Sequence, residues 1–131
     1  MIERWTEFQG RPNGAGGDEA RVTLSSRGVV HLNKHAFEAL GTPVAVKLMY
    51  DEDRRVIGLM PHDAKHANAF PVKQKDKWSN RVIHIAAFCL HFGIDIRRTV
   101  LFNEIDIGRD GMMRLDLNRT QTVGKDRSVR K

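Results

Sequence analysis

The sequence is short of cysteine, tyrosine and proline: one, one and four in 131 residues, with aromatic residues at 7%. A lone thiol forms neither an internal disulfide nor a cysteine-based metal site. Cys89 lies in the apolar run Ala86-Ala87-Phe88-Cys89-Leu90, so it is read as a buried, inert thiol rather than a reactive one. No apolar run approaches the roughly 18 residues a membrane-spanning helix needs. The first ten residues, MIERWTEFQG, include acidic side chains and no apolar h-region, so no signal peptide is expected. A cytoplasmic protein without a membrane partner follows as the expectation.

Catalytic signatures are missing as well. There is no G-x-S-x-G, and Cys89 has no activating neighbour. Acidic residues such as Asp51, Glu52, Asp53, Glu104 and Asp106 fall in hairpins and turns, where solvation accounts for them. Residues 10–17 hold four glycines and a proline, yet lack the G-x-x-x-x-G-K-[ST] pattern of a phosphate-cradling loop. Of the six histidines, His62 and His66 are four apart but lack the H-E-x-x-H glutamate and a third ligand. His31 and His35 straddle a strand and a helix. No catalytic residue, no metal site and no cofactor is therefore assigned, and the protein is not expected to be an enzyme.

What is present is charge, in two places. The net charge is +6. Residues 118–131 carry Arg119, Lys125, Arg127, Arg130 and Lys131 against Asp126, and residues 73–81 carry Lys73, Lys75, Lys77 and Arg81 against Asp76. The rest of the chain is close to neutral. Such runs are either solvated ends or contacts for a polyanion.

Apolar content of 40% is enough for a core. The organising stretch is residues 21–61, RVTLSSRGVVHLNKHAFEALGTPVAVKLMYDEDRRVIGLMP. Alternation at 22–24 and 29–32 predicts two short strands about a polar turn. Ala36, Phe37 and Leu40, followed by Gly41, predict a short helix with a glycine cap. Residues 44–50 and 56–59 predict a hairpin about the turn at 51–54. A unit of this size cannot enclose a core by itself. A weaker second copy follows: Val82-Ile83-His84-Ile85 matches Val29-Val30-His31-Leu32 at an offset of 53, Phe92-Gly93 matches Leu40-Gly41, and residues 99–102 and 112–117 match the hairpin, with Gly108-Arg109-Asp110-Gly111 at its turn. Two tandem copies give a pseudo-twofold unit within one chain. The organisation expected is a leader and glycine-rich loop (1–20), a first repeat (21–62), a basic connecting segment (63–80), a second repeat (81–117) and a basic, loosely packed tail (118–131). Within the connector, residues 67–72 are expected as a short strand crossing back, with Pro71 at a sheet edge. His31 and His84, at equivalent positions, are expected near the twofold axis as an inward hydrogen-bonded pair, with a pH-sensitive role as the alternative. Trp5 and Trp78, beside cations, are either base-stacking groups or core anchors.

The segment SSRGVVHLNKHAFEALG, residues 25–41, resembles the start of the AbrB/MazE/SpoVT family of swapped-hairpin DNA-binding domains. Ser26-Arg27-Gly28 stands at the family's S-K-G, residues 29–32 at its strand, and Ala39-Leu40-Gly41 at its helix end. Two copies in one chain are similar to the arrangement in the MraZ branch. The resemblance implies a mainly β fold with short α-helices: a small pseudo-twofold β-barrel of two β-α-β-β repeats. It implies a DNA-binding transcriptional regulator with double-stranded DNA as partner. The alternative is a non-catalytic protein-interaction module, antitoxin-like or a scaffold barrel, that has kept the fold and bound a protein instead. Either is an intramolecular pseudo-dimer that can associate further. The family's proline after the strand is Asn33 here, its helix arginine is Phe37, its next Gly-Asp is Thr42-Pro43, and Arg81 takes the turn glycine's place in the second copy. Arg27 is the basic residue at a matching position. Arg21, Lys34, Lys77 and Arg81 are placed near it by strand geometry, and these five form the expected nucleic-acid-binding set.

Overall fold

A computed structural model of the chain describes residues 19–65, 67–75 and 80–123. The leader, the glycine-rich loop, His66, Lys77, Trp78 and the tail beyond 123 lie outside the described residues. The fold is mainly β, with eleven short strands in two sheets and two helices among the described residues.

The elements begin as the alternation predicts. β1 (Val22–Leu24) and β2 (Val29–Leu32) form a hairpin that turns through residues 25–28. Val22, Leu24, Val30 and Leu32 all point into the core, because period-2 alternation sends every second side chain to one face. α1 (Lys34–Ala39) starts at Asn33, whose side chain accepts the Ala36 N–H, and ends at Leu40 and Gly41, the latter at φ 97°. β3 (Ala45–Asp51) and β4 (Val56–His62) form the next hairpin.

The second half starts earlier than residue 81. β5 (Phe70–Pro71) and β6 (Lys73–Gln74) are one run of chain that passes from one sheet to the other, and Val72 between them donates to the Val44 carbonyl. Pro71 does sit on an edge strand, where its missing N–H costs the ladder nothing. β7 (Arg81–His84) and α2 (Ala86–Phe92) follow, with Gly93 in the left-handed conformation at the helix end. β8 (Val100–Phe102) and β9 (Ile105–Ile107) are again one run shared between the sheets, and β10 (Met113–Asp116) and β11 (Thr120–Thr122) complete the chain.

Two expectations are corrected here. The second hairpin joins β9 to β10, not residues 99–102 to 112–117; β8 pairs instead with β1 and β11. And residues 118–123 are not a loose tail. Asn118 donates to the Arg54 carbonyl, Asn103 donates to the Arg119 carbonyl, and β11 adds to the edge of β8. Backbone pairing orders this polar stretch without any apolar period.

One sheet runs β11-β8-β1-β2-β7-β6 and the other β5-β3-β4-β10-β9. The register relates the two halves. In the six-stranded sheet Val30 opposes Ile83, its equivalent 53 residues later. In the five-stranded sheet Gly58 opposes Arg114, 56 residues later. Each half also lends its third strand to the other's first: β8 pairs with β1, and β3 pairs with β5. Between the sheets lies one core that includes Leu24, Leu32, Ile57, Leu59, Ile83, Ile85, Met113 and Leu115. No polar or charged residue is buried among the described ones. On the α2 side, Tyr50, Phe88 and Phe92 pack with centroids 4.9–5.9 Å apart, a spacing that favours tilted and edge-on aromatic contacts.

Candidate nucleic-acid interface

The two sheets differ in charge. The strands of the six-stranded sheet contain Lys73, Arg81, His31 and His84 and no acidic residue. Those of the five-stranded sheet contain Asp51, Asp106 and Asp116 beside Lys47 and Arg114. On that second side two arginines pair with carboxylates, Arg114 with Asp110 at 3.1 Å and Arg54 with Asp51 at 3.9 Å, while Lys47, Arg55 and Arg109 form no ion pair with a described carboxylate. Where the sheets meet, Arg119 pairs with Glu104 at 3.0 Å, and before β8 Arg97 pairs with Asp95 at 3.2 Å. Around the six-stranded sheet, Arg21, Arg27, Lys34, Lys73 and Lys75 form no ion pair with a described carboxylate. Exposed ion pairs add little stability, about 0–1 kcal/mol. Here they decide which cations remain open to an outside anion.

Part of this open charge converges on a shallow cleft of about 260 Å³ at one end of the β1–β2–β7–β6 ladder, lined by Arg21, Thr23, His31, Leu32, Asn33, Lys75 and Asn80. Asn33, one of the lining residues, fixes the backbone around it. The Asn33 Oδ1 accepts from the backbone N–H groups of Arg21 and Ala36, both at 2.9 Å, and its Nδ2 donates to the Glu19 carbonyl at 2.7 Å. One side chain thus caps α1 and fixes the chain that carries Arg21 into β1. Across the cleft the Lys75 N–H donates to the Asn80 carbonyl at 2.9 Å, which sets Lys75 at the mouth of the β6–β7 turn. His31 lies between, on β2, with Thr23 opposite on β1 and Val82 opposite on β7.

The histidines are not an inward pair. Val30 and Leu32 fill the core positions of β2, so alternation turns His31 outward. His84 opposes Val29 on that same outer side and is exposed. The His31 imidazole is held below the ordinary histidine range, first by partial burial, then by the charge of Lys75 and by His84; a backbone hydrogen bond at Val29 acts the other way.

The expected site residues divide. Arg21 lines the cleft. Arg81 begins β7 at the same end; its guanidinium stands 4.4 Å from the centre of the Phe37 ring, and its Nη1 donates to the Asn80 carbonyl. Lys34 is exposed as the first residue of α1, and does not line the cleft. Arg27 is at the far end of β2, in the 25–28 turn beside the start of α2, roughly 15 Å away at about 3.3 Å per residue. Lys77 lies outside the described residues. Lys75, His31 and Asn33 belong to the cleft and were not among the expected site residues. Strand parity alone identifies His31; Lys75 emerges only from the pairing of β6 with β7.

Among the described residues no group of three histidine, cysteine or carboxylate side chains is placed to hold a metal ion, and no helix is long and apolar enough to cross a membrane. Family models, curated proteins and solved structures were compared with the chain, and none matches it.

Proposed function

We propose that this protein binds double-stranded DNA through the outer face and ends of the six-stranded sheet, as an AbrB-like transcriptional regulator carrying both halves of its binding unit in one chain. The observation that carries the reading is the partition of strand charge: the strands of one sheet carry cations and no acidic residue, those of the other carry Asp51, Asp106 and Asp116. A duplex is a dense array of phosphates, and each cation that meets one adds affinity and salt dependence. The exchange of third strands between halves supports the swapped-hairpin architecture. The two runs shared between sheets, residues 70–74 and 100–107, would be the corners that close it into a small barrel. The helix arginine replaced by Phe37 has a substitute, because Arg81 of the other half brings a guanidinium over that ring.

The test is binding to a pool of random duplex DNA at about 50 and about 200 mM salt. Arg21→Ala with Lys75→Ala should weaken binding and reduce the salt slope by about 2, at roughly 0.9 per phosphate contact. Arg114→Ala, on the opposite sheet, should leave the slope unchanged. Deleting residues 124–131 separates the tail's contribution. No binding at the lower salt, or equal losses from both sheets, refutes the reading.

A second reading, a protein-interaction module, has one observation in its favour. α2 carries no Asp, Glu, Lys or Arg, and Leu90 on it is 84% exposed beside exposed Ala86 and Ala87. Counted from the glycine ending each helix, Leu90 occupies the place that Glu38 fills on α1. Apolar side chains grouped on a helix face mark a contact with another protein more often than isolated ones do. Under this reading Leu90→Glu abolishes association with a defined partner while duplex affinity is unchanged.

A further inference from the structure

The cleft described above has a feature that general duplex affinity does not require. Two permanent cations from separate elements, Arg21 before β1 and Lys75 after β6, face one opening with a titratable imidazole between them. Among the described residues the charged groups around His31 are of one sign: Arg21 from the β1 side, Lys75 from the β6–β7 turn, Lys73 one strand out on β6, and His84 from β7. No described acidic residue lines this cleft; Glu38 lies on α1, and Glu19 lines a neighbouring cleft with Arg21, Leu101 and Asn103. Asn33 is engaged in three hydrogen bonds, which leaves the Thr23 hydroxyl and the cationic heads to meet a ligand. With no anion present, a proton on His31 would add to like charge in a partly dehydrated place, so the ring stays neutral near pH 7. A dianion or monoanion in the cleft offsets that field and offers the imidazolium an opposite charge at close range.

We propose that this cleft holds a phosphate group, with Arg21 and Lys75 as its cationic rim, and that His31 takes up a proton as the phosphate arrives. The proposal rests on the DNA reading only for the source of the phosphate, a backbone phosphodiester; a free phosphate has the same chemistry. The proton moves from solvent to the imidazole, and no bond of the phosphate is broken. Binding then draws protons, so affinity is greatest below the free histidine's titration range and falls as pH rises through the bound one's. For each unit by which the phosphate raises the His31 midpoint, duplex affinity should gain up to about tenfold between pH 8 and pH 5.5. DNA binding by this chain would be pH-responsive through one side chain.

The experiment is an NMR pH titration of the histidine rings in the full chain, at constant ionic strength. It is run in chloride alone, with inorganic phosphate at about 10 mM, and with a short duplex; His91, exposed on α2, is the internal reference. The expected result is a His31 midpoint that rises with both phosphate and duplex while that of His91 stays put. Arg21→Ala with Lys75→Ala, checked for a native spectrum, should cancel the rise. A rise with inorganic phosphate and no duplex binding supports the cleft as a free-phosphate site and removes the DNA reading. A rise with duplex alone supports the phosphodiester source. Duplex binding with His31 unmoved, or equal movement of His31 and His91, overturns the proposal, and the former leaves the DNA reading standing.

Discussion

Val30 and Ile83 lie side by side on neighbouring strands, each fully buried, although they stand 53 positions apart in the chain. They occupy the same position in the two halves, so the joint between halves is formed by a residue meeting its own counterpart. Truncating either should open a cavity that both halves line. Ile83→Ala is expected to cost about 2–5 kcal/mol and Ile83→Val about 0.5–1.5 kcal/mol. Combined with Val30→Ala, the loss should depart from the sum of the single losses by about 0.5 kcal/mol or more, since touching residues share one cavity. Urea denaturation of the two singles and the double measures this. Strict additivity would mean that the β2–β7 pair does not bring the halves together.

Gly28 separates backbone strain from steric exclusion. At φ 78°, a Cβ there would stand 2.6 Å from the Ala86 Cα, which is backbone and cannot move aside. Gly41 has φ 97° and open space around the same imagined atom. Alanine at Gly41 should therefore cost only the left-handed conformation, about 1–2 kcal/mol. Alanine at Gly28 should cost that plus roughly 1–3 kcal/mol of overpacking, and should loosen the turn where α2 begins. Melting temperatures of the two variants check the order; an equal loss would contradict the close approach.

Asn33 stands where the resembled family has a proline, and its three hydrogen bonds give the substitution a physical reason. A proline ring offers neither the acceptor for the Ala36 and Arg21 N–H groups nor the donor for the Glu19 carbonyl. Removing an N-cap side chain costs about 0.5–2 kcal/mol, and Asn33→Ala should fall at the upper end because the cap also ties down the entry to β1. Asn33→Asp, which keeps the acceptor and loses the donor, should be intermediate. Chemical denaturation ranks the three, and loss of the amide signal of Arg21 from its hydrogen-bonded position identifies the cause.

Much of this fold was legible in the sequence because apolar alternation and turn chemistry agree locally. Residues 22–32 declared a hairpin and Ala36 to Gly41 a capped helix, and the match of residues 29–32 with 82–85 marked the two strands as equivalent; that Val30, not His31, meets its counterpart came from the register. The short strands were not legible. β6, Lys73–Gln74, and β11, Thr120–Thr122, are polar and lie at sheet edges, so backbone pairing rather than side-chain burial defines them. The second hairpin was misread because Asn103 and Glu104 interrupt a run that is unbroken in β3. Charge was legible as a total but not as a distribution. That Arg114 and Arg119 find carboxylates while Lys75 meets none among the described residues is not readable from the sequence, since those partners meet only after the sheets form. The outward His31 was readable in principle: two apolar neighbours at alternate positions already fix its side.

Cys89 offers a probe of the helix that carries the exposed Leu90. The residue is 8% exposed, and burial pushes the thiol's pKa above the ordinary value. A thiolate reagent at neutral pH should therefore modify it only when α2 opens, and much more slowly than in urea. The start of α2 is fixed by the Ile85 N–H donating to the Gly28 carbonyl at 2.7 Å. Gly28→Ala should thus accelerate Cys89 labelling under native conditions, by more than Gly41→Ala does, because the latter disturbs α1 instead. The rate is followed by the absorbance of the released leaving group. Labelling of the unaltered protein as fast as in urea would place Cys89 at the surface and α2 off the core; equal acceleration by both glycine variants would mean that the two helices open with the whole domain rather than one at a time.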